Sequence, residues 1–446
     1  MVHKYKLKGH NIVLDVNSGA VHLVDDVAFD VLHDYTPDKV FLPTQELKAK
    51  YPPEQISEAV EELNELVRQG LLFSQEDYAW VAARKAGATL KALCLHVAHD
   101  CNLRCGYCFA GEGEYAGKRA LMSEETAKHS IDFLIEHSQG RRELEVDFFG
   151  GEPLLNLDVI KQTVSYARSL EKPHGKSFRF TITTNGMLLN HDTSRYINDE
   201  MHNVVLSLDG RKHVNDANRK TLGEASCYDI VVPKFQNLIK SRGGKSLYLR
   251  GTFTRDNLDF AQDVLHMRDL GFDNVSVEPV VAPQSEDYAI CAADLPRIFR
   301  EYEDLAENIL KSDGFNFFHF NIDLAEGPCI IKRLTGCGAG TEYLAVTPEG
   351  DIYPCHQFVW REEFKMGSLT RGVVNTSLRD ELASVNVYTK PDCHDCWTKF
   401  YCGGGCHANA ITLGGGLKSV YKIGCDMHRK RTECAIMLEV SKHLQI

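Results

Sequence analysis

Cys101, Cys105 and Cys108 follow the apolar run Leu93 to Val97, with three and then two residues between them. Thiolates this close suit a soft metal centre: an iron–sulfur cluster, or a zinc ion. Four thiolates saturate a four-iron cluster. Three leave one iron open, where a substrate or cofactor can bind. A second dense group runs Cys337, Cys355, Cys393, Cys396, Cys402, Cys406 and Cys425, with Gly403, Gly404 and Gly405 between two of its members. With Cys94, Cys227, Cys291, Cys329 and Cys434 the total is 15, high for one chain. A disulfide framework suits a small exported domain. Met1 to Val13 is polar and mixed, with no apolar signal segment, so the cytoplasm is the expected compartment. Cys94, Cys227 and Cys291 stand apart and read as ordinary buried or half-buried thiols.

The chain must position these groups. Its 446 residues exceed one ordinary core and suggest two to four domains. Hydrophobic content of 43% with 25% charged residues describes a soluble globular protein. A formal charge of -12 with no basic block argues against nucleic acid or an anionic membrane as partner. No apolar run approaches the length of a spanning helix.

From Lys91 to about Leu310 the pattern alternates strand and helix. Strands are expected at Ala92–Val97, Leu144–Phe149, Phe178–Thr183, Val204–Leu208, Leu247–Thr252 and Val275–Glu278. Helices are expected near Ser123–Ser138, Leu157–Leu170, Tyr228–Ser241 and Leu258–Leu270, the first capped by Ser123. Repeated βα units imply a parallel sheet covered by helices, an α/β fold. Polar groups cluster where each strand ends: the first three cysteines, then Gly150-Gly151-Glu152, Thr184-Asn185-Gly186, Ser207-Leu208-Asp209-Gly210 and Glu278-Pro279. Carboxyl ends of strands are where (β/α) folds build active sites. A doubly wound open sheet is the rival on pattern alone.

The first 85 residues read as a small separate domain. His10–Val16 and Ala20–Val24 form a hairpin over Asn17-Ser18-Gly19. Helices are expected at Asp25–Tyr35, Thr44–Lys50 and Glu54–Gln69, and a returning strand at Leu71–Phe73. This is a winged-helix-like composition. The last helix carries Glu54, Glu58, Glu61, Glu62 and Glu65, which is wrong for a DNA-reading surface.

The first cysteine triple, with Tyr107 before its third member, resembles the radical S-adenosylmethionine (SAM) enzymes, and six βα units suit their partial (β/α)6 TIM-like barrel. The resemblance implies a [4Fe–4S] cluster on Cys101, Cys105 and Cys108, with SAM on its open iron. Gly150, Gly151 and Glu152 match the segment that meets the SAM ammonium. Ser207 and Asp209 match positions near the ribose and sulfonium. Arg250 and Glu278 are candidates for carboxylate and ribose contacts. The second cysteine group resembles the SPASM extension, which carries two auxiliary [4Fe–4S] clusters, making three in all. Cys337, Cys355 and Cys406 would hold the nearer one, and Cys393, Cys396, Cys402 and Cys425 the farther. Cys329 lies where related maturases place a fourth ligand, displaced by two residues. It is either a ligand or a bystander that leaves an open iron. Cys434 lies outside the pattern.

The domain order expected is residues 1–85 for peptide recognition, 86–315 for the radical SAM core and 316–446 for SPASM. The first segment resembles leader-peptide recognition domains, which add the leader as a strand; an interdomain cap is the plain alternative. The whole resembles maturases of SCIFF peptides, and the stretches Asn11–His22 and Tyr353–Phe358 support this. The resemblance implies a cysteine-rich precursor peptide as partner and an external electron donor such as flavodoxin or ferredoxin. It also implies hydrogen abstraction by a 5′-deoxyadenosyl radical and closure of a cysteine thioether. Two rivals stand beside it: a sulfatase-type maturase making formylglycine, and a non-enzymatic electron-transfer or peptide-carrier protein.

Overall fold

The computed structural model describes residues 1–76, 80, 89–111, 113–115, 119–312, 314–324 and 334–444. Three antiparallel strands open the chain: β1 (Val2–Leu7), β2 (His10–Asp15) and β3 (Val21–Leu23), in that order across the sheet. Helices Asp26–Asp34, Gln45–Lys50 and Pro53–Arg68 follow, the first two capped by the side chains of Asp25 and Thr44. β2 is apolar on both faces. Val13 enters the core of these helices with Val31, Ile56 and Leu63, whereas Ile12 and Leu14 enter the main core. The small sheet is therefore sandwiched, not appended.

Sequence reasoning missed β1. Its lysines hide a period of two in which His3, Tyr5 and Leu7 share a face. The His3 ring stacks on Trp397 at 3.8 Å, and the Tyr5 hydroxyl donates to the Glu433 carbonyl at 3.0 Å. The returning strand expected at Leu71–Phe73 is instead a run of bends. Phe73 takes a left-handed φ of 53°, and the Leu71 carbonyl is taken by the His22 ring at 2.9 Å.

One tie is costly to break. Lys399 has a fully buried side chain, and its ammonium donates to both Glu76 carboxylate oxygens at 3.1 and 3.0 Å. Glu76→Gln leaves that buried charge without its counter-ion. A denaturant titration is expected to show a loss of about 2 kcal/mol, below the usual buried-pair cost because Glu76 is partly solvated. An unmoved midpoint would mean that the carbonyl of His394 and the neighbouring rings suffice for Lys399.

The central sheet begins with β4 (Ala92–His99), every residue of which is buried. Short β5 (Leu103–Cys105) and β6 (Ala120–Leu121) lead to β7 (Glu143–Gly150), β8 (Ser177–Thr184) and β9 (Asn203–Ser207). After β10 (Arg219–Thr221) come β11 (Leu247–Phe253) and β12 (Asn274–Pro279). Strands β4, β7, β8, β9, β11 and β12 pair in parallel and in chain order. Helices Glu124–His137, Leu157–His174, His191–Glu200, Tyr228–Ser241, Phe260–Asp269 and Leu295–Leu310 supply the crossovers and cover. This is the partial barrel expected.

Both barrel edges are extended. β13 (Asn316–Phe317) pairs with β12, and β14 (Tyr343–Val346) pairs in parallel with β4. From there β15 (Asp351–Tyr353), β16 (Gly367–Ser368) and β17 (Gly372–Val373) continue antiparallel. The carboxyl-terminal region thus grows directly from the barrel's first strand. Its final helix, Lys422–Leu444, packs on Leu295–Leu310. Among the described residues no helix is long and apolar enough to cross a membrane.

Candidate active site

The end of β4 fixes the first cysteine loop. A register shift between His96 and Ala98 bends the strand just before Cys101. Gly150 and Gly151 sit directly against that bend. A Cβ on Gly150 would lie 2.1 Å from the Ala98 carbonyl, and one on Gly151 2.1 Å from the Asp100 carbonyl. Only glycine permits this approach, and it gives two backbone bonds: Gly151 N to Ala98 O at 2.7 Å and Glu152 N to Asp100 O at 2.8 Å.

Glu152 turns inward. It is fully buried and accepts from Leu154 N, the Thr184 hydroxyl and Asn185 N at 2.7 to 3.0 Å. Burial pushes its carboxyl up to about 7, against the pull of those donors. Asp209 is likewise fully buried. Its carboxylate accepts from the Tyr107 hydroxyl at 2.6 Å, Arg219 at 3.0 Å and Thr252 N at 2.9 Å. Both carboxylates therefore brace the loops around the cysteines. Tyr107 lies between Cys105 and Cys108, and β10 pairs Arg219 opposite Cys105, so the Asp209 network grips the cysteine loop from two sides. Asp209→Asn keeps the shape and removes the charge. It leaves the half-buried Arg219 without its counter-ion, at a cost of about 3 kcal/mol. The expected result is faster loss of iron from the reconstituted protein to a chelator. Iron retention equal to wild type would show that the network does not hold this loop.

These elements enclose a cavity of about 510 Å³. Cys101, Cys105 and Cys108 line one side with Gly150, Gly151 and Ser207. Arg250 and Glu278 line it further along, Arg250 from within β11 and not from its end. Cys402, Cys406 and Cys425 line it as well. Glu278 is paired with His319 at 3.6 Å and Arg431 at 3.6 Å, which hold its carboxyl below the usual range despite burial. Arg219, His356, His428 and Arg431 also face the cavity, and sequence reasoning missed all four. Three follow no strand end. His428 and Arg431 are three apart on the last helix, one-face spacing that only its docking makes meaningful.

The remaining cysteines gather in two sets. Cys355 has the thiols of Cys406 and Cys337 as its cysteine neighbours. Cys425 has Cys402, Cys393 and Cys396. Burial pushes the thiols of Cys105, Cys355 and Cys425 up to about 12 and those of Cys101 and Cys393 to about 11. Thiols of that kind ionise at neutral pH only on binding metal. Among the described residues no three His, Cys, Asp or Glu side chains converge to hold one ion. A four-iron cluster spreads its ligands over separate irons and needs no such convergence. Cys434 is buried in the apolar core, and Cys329 lies outside the described residues.

Residues 87–231 match a family described as a 4Fe-4S single cluster domain, and residues 337–397 match SPASM, an iron-sulfur cluster-binding domain. The radical SAM cyclopropyl synthase TigE of Paramaledivibacter caminithermalis is 22% identical over 77% of this chain and 74% of its own. A cysteine-type anaerobic sulfatase-maturating enzyme of Clostridium novyi is 21% identical over 72% and 88%. Native anSMEcpe with bound AdoMet superposes with a TM-score of 0.66 at 18% identity, covering 80% of this chain and all (100%) of that one. Streptococcus suis SuiB bound to S-adenosylmethionine gives 0.53 at 16% identity, covering 94% and 97%. The fold is that of radical SAM proteins, an α/β partial barrel with a carboxyl-terminal SPASM iron–sulfur domain.

Proposed function

We propose that this radical SAM/SPASM-domain enzyme oxidises a side chain of a cysteine-containing peptide held in the 510 Å³ cavity. The observation that carries the reading is that one cavity touches the first cysteine triple and also Cys402, Cys406 and Cys425. Cys101, Cys105 and Cys108 would hold the SAM-binding [4Fe–4S] cluster. Cys337, Cys355 and Cys406 would hold the nearer auxiliary cluster, and Cys393, Cys396, Cys402 and Cys425 the farther. Bound there, the reduced cluster and SAM supply a 5′-deoxyadenosyl radical. The Gly150–Gly151 backbone would give the SAM amino acid moiety close access, and Glu152 braces that turn through Leu154, Thr184 and Asn185. Ser207 and Arg250 offer polar contacts to SAM or peptide. Asp209 acts at one remove, through Tyr107 and Arg219.

Two products fit this site. Formylglycine is the one the relatives support better, since both cysteine-type and serine-type sulfatase-maturating enzymes are among them. Native anSMEcpe has also been solved with AdoMet and a Kp18Cys peptide. A thioether cross-link is the second reading, and it rests on the amino-terminal sheet and helices, which suit leader docking. In either case the two auxiliary cysteine sets would hold clusters able to take up the electrons that the peptide loses, with an external redox protein as the final acceptor.

Mass alone does not separate the two, because serine-derived formylglycine and a thioether both lose two hydrogens. Anaerobic reaction with a cysteine-rich leader-bearing peptide is therefore followed by thiol counting and an aldehyde-reactive probe. A thioether consumes one thiol and leaves no aldehyde. Formylglycine labels with the probe. Release of 5′-deoxyadenosine with an unmodified peptide would remove peptides from the substrate list.

A further inference from the structure

One buried cation beside the auxiliary cysteines takes part in nothing described so far. Lys390 is 1% exposed, and its ammonium donates to the Gly404 carbonyl at 2.8 Å. Gly403, Gly404 and Gly405 all adopt left-handed φ angles, 69°, 84° and 74°, a run that only glycine sustains without strain. That run carries the chain from Cys402 to Cys406 and holds the Gly404 carbonyl against the lysine. The Cys393 amide donates to the Lys390 carbonyl at 3.0 Å, and the cysteines that act electrostatically on the ammonium are Cys393, Cys402, Cys425 and Cys406. Three belong to the farther ligand set and one to the nearer. Among the described residues no carboxylate pairs with Lys390, in contrast to the buried Lys399, which has Glu76.

An ammonium has three donors, and Gly404 uses one. A buried cation without a counter-ion is strongly disfavoured. Here the compensating charge must come from sulfur. A four-iron cluster with thiolate ligands is anionic, and reduction adds one more negative charge. A fixed cation alongside stabilises the reduced form more than the oxidised form. Hydrogen bonds and local charge of this kind set cluster potentials.

We propose that Lys390 is the shared counter-cation of the two auxiliary clusters and raises the potential at which they accept an electron. The inference rests on the two-cluster reading of the SPASM domain. Lys390 is a positioning residue in this scheme, acting on the clusters and not on the peptide.

The test compares reconstituted wild type with Lys390→Met, Lys390→Gln and Lys390→Arg. Iron and sulfide per chain are measured first; a wild type loading only the first cluster removes the two-cluster reading itself. Electron-resonance-monitored redox titration then follows the auxiliary signals and the SAM-binding cluster separately. In both neutral variants, with iron unchanged, the reduced-to-oxidised ratio of the auxiliary signals at fixed poise is expected to fall about tenfold, equal to about 59 mV for one electron. The SAM-binding cluster should not move, and Lys390→Arg should stay near wild type. An unshifted auxiliary potential in fully loaded Lys390→Met overturns the proposal. So does loss of auxiliary iron in both neutral variants, because that makes Lys390 a structural clasp of the glycine loop.

Discussion

Replacing Cys101, Cys105 and Cys108 together with alanine is expected to abolish SAM cleavage while leaving most of the iron in place. Wild type should load roughly 12 irons, four for each of three clusters, and the variant about 8. The reasoning is spatial as well as chemical. The first triple sits on a loop held by the β4 bend, by Gly150 and Gly151, and by the Tyr107–Asp209–Arg219 network. Of the other two sets, Cys402, Cys406 and Cys425 line the same cavity, and no cysteine of either set sits at the β4 bend or in the Tyr107–Asp209–Arg219 network. Losing one cluster should therefore not unfold the others. Iron and sulfide analysis with detection of 5′-deoxyadenosine reads both halves of the expectation. A variant that loses nearly all iron would show the three sets to be interdependent. Stoichiometric zinc with little sulfide in the wild type would sink the cluster assignment outright.

The cysteine sets were legible in the sequence because their ligands are partly local: Cys105 and Cys108, or Cys393 and Cys396, are close in the chain before folding begins. The barrel was legible because six apolar segments each end in polar or glycine residues, as β7 does at Gly150 and β9 at Ser207. Contacts made only by long-range docking were not legible. No local signal in Arg219 says that it will lie opposite Cys105, since that pairing depends on two short strands more than a hundred residues apart. The joining of β14 to β4 depends on a sheet edge that exists only because the barrel stays open. Asp209 shows a subtler limit. Its position at a strand end was readable, but the partners of its carboxylate, Tyr107, Arg219 and the Thr252 amide, were not, because they come from three distant segments.

The amino-terminal sheet offers two edges for leader docking, and its chemistry selects one. β1 carries Lys4 and Lys6 along its edge, a common guard against strand addition, and its opposite face is committed to Trp397 and Glu433. Among the described residues β3 pairs only with β2. The register matches His22 with Val13, and Ala20 and Val24 bond to Asp15 and Asn11 across the same ladder. Alternation along an antiparallel strand then turns the N–H groups of Val21 and Leu23 outward, toward an added strand. Proline at either position removes one outward donor and leaves the β2 ladder intact. Each lost bond is worth about 1 kcal/mol, so Val21→Pro with Leu23→Pro should weaken leader binding by roughly thirtyfold. SAM cleavage without peptide should be unchanged, because β3 lies away from the cavity. Leu23→Ala keeps its N–H and should lose much less. These changes are cleaner than removing the whole segment, which would also strip Glu76 from Lys399 and His3 from Trp397. Calorimetric titration with the leader alone reads the result. Wild-type affinity in the double proline variant, with the fold intact by circular dichroism, would move leader recognition off this edge and leave the sheet as an interdomain cap.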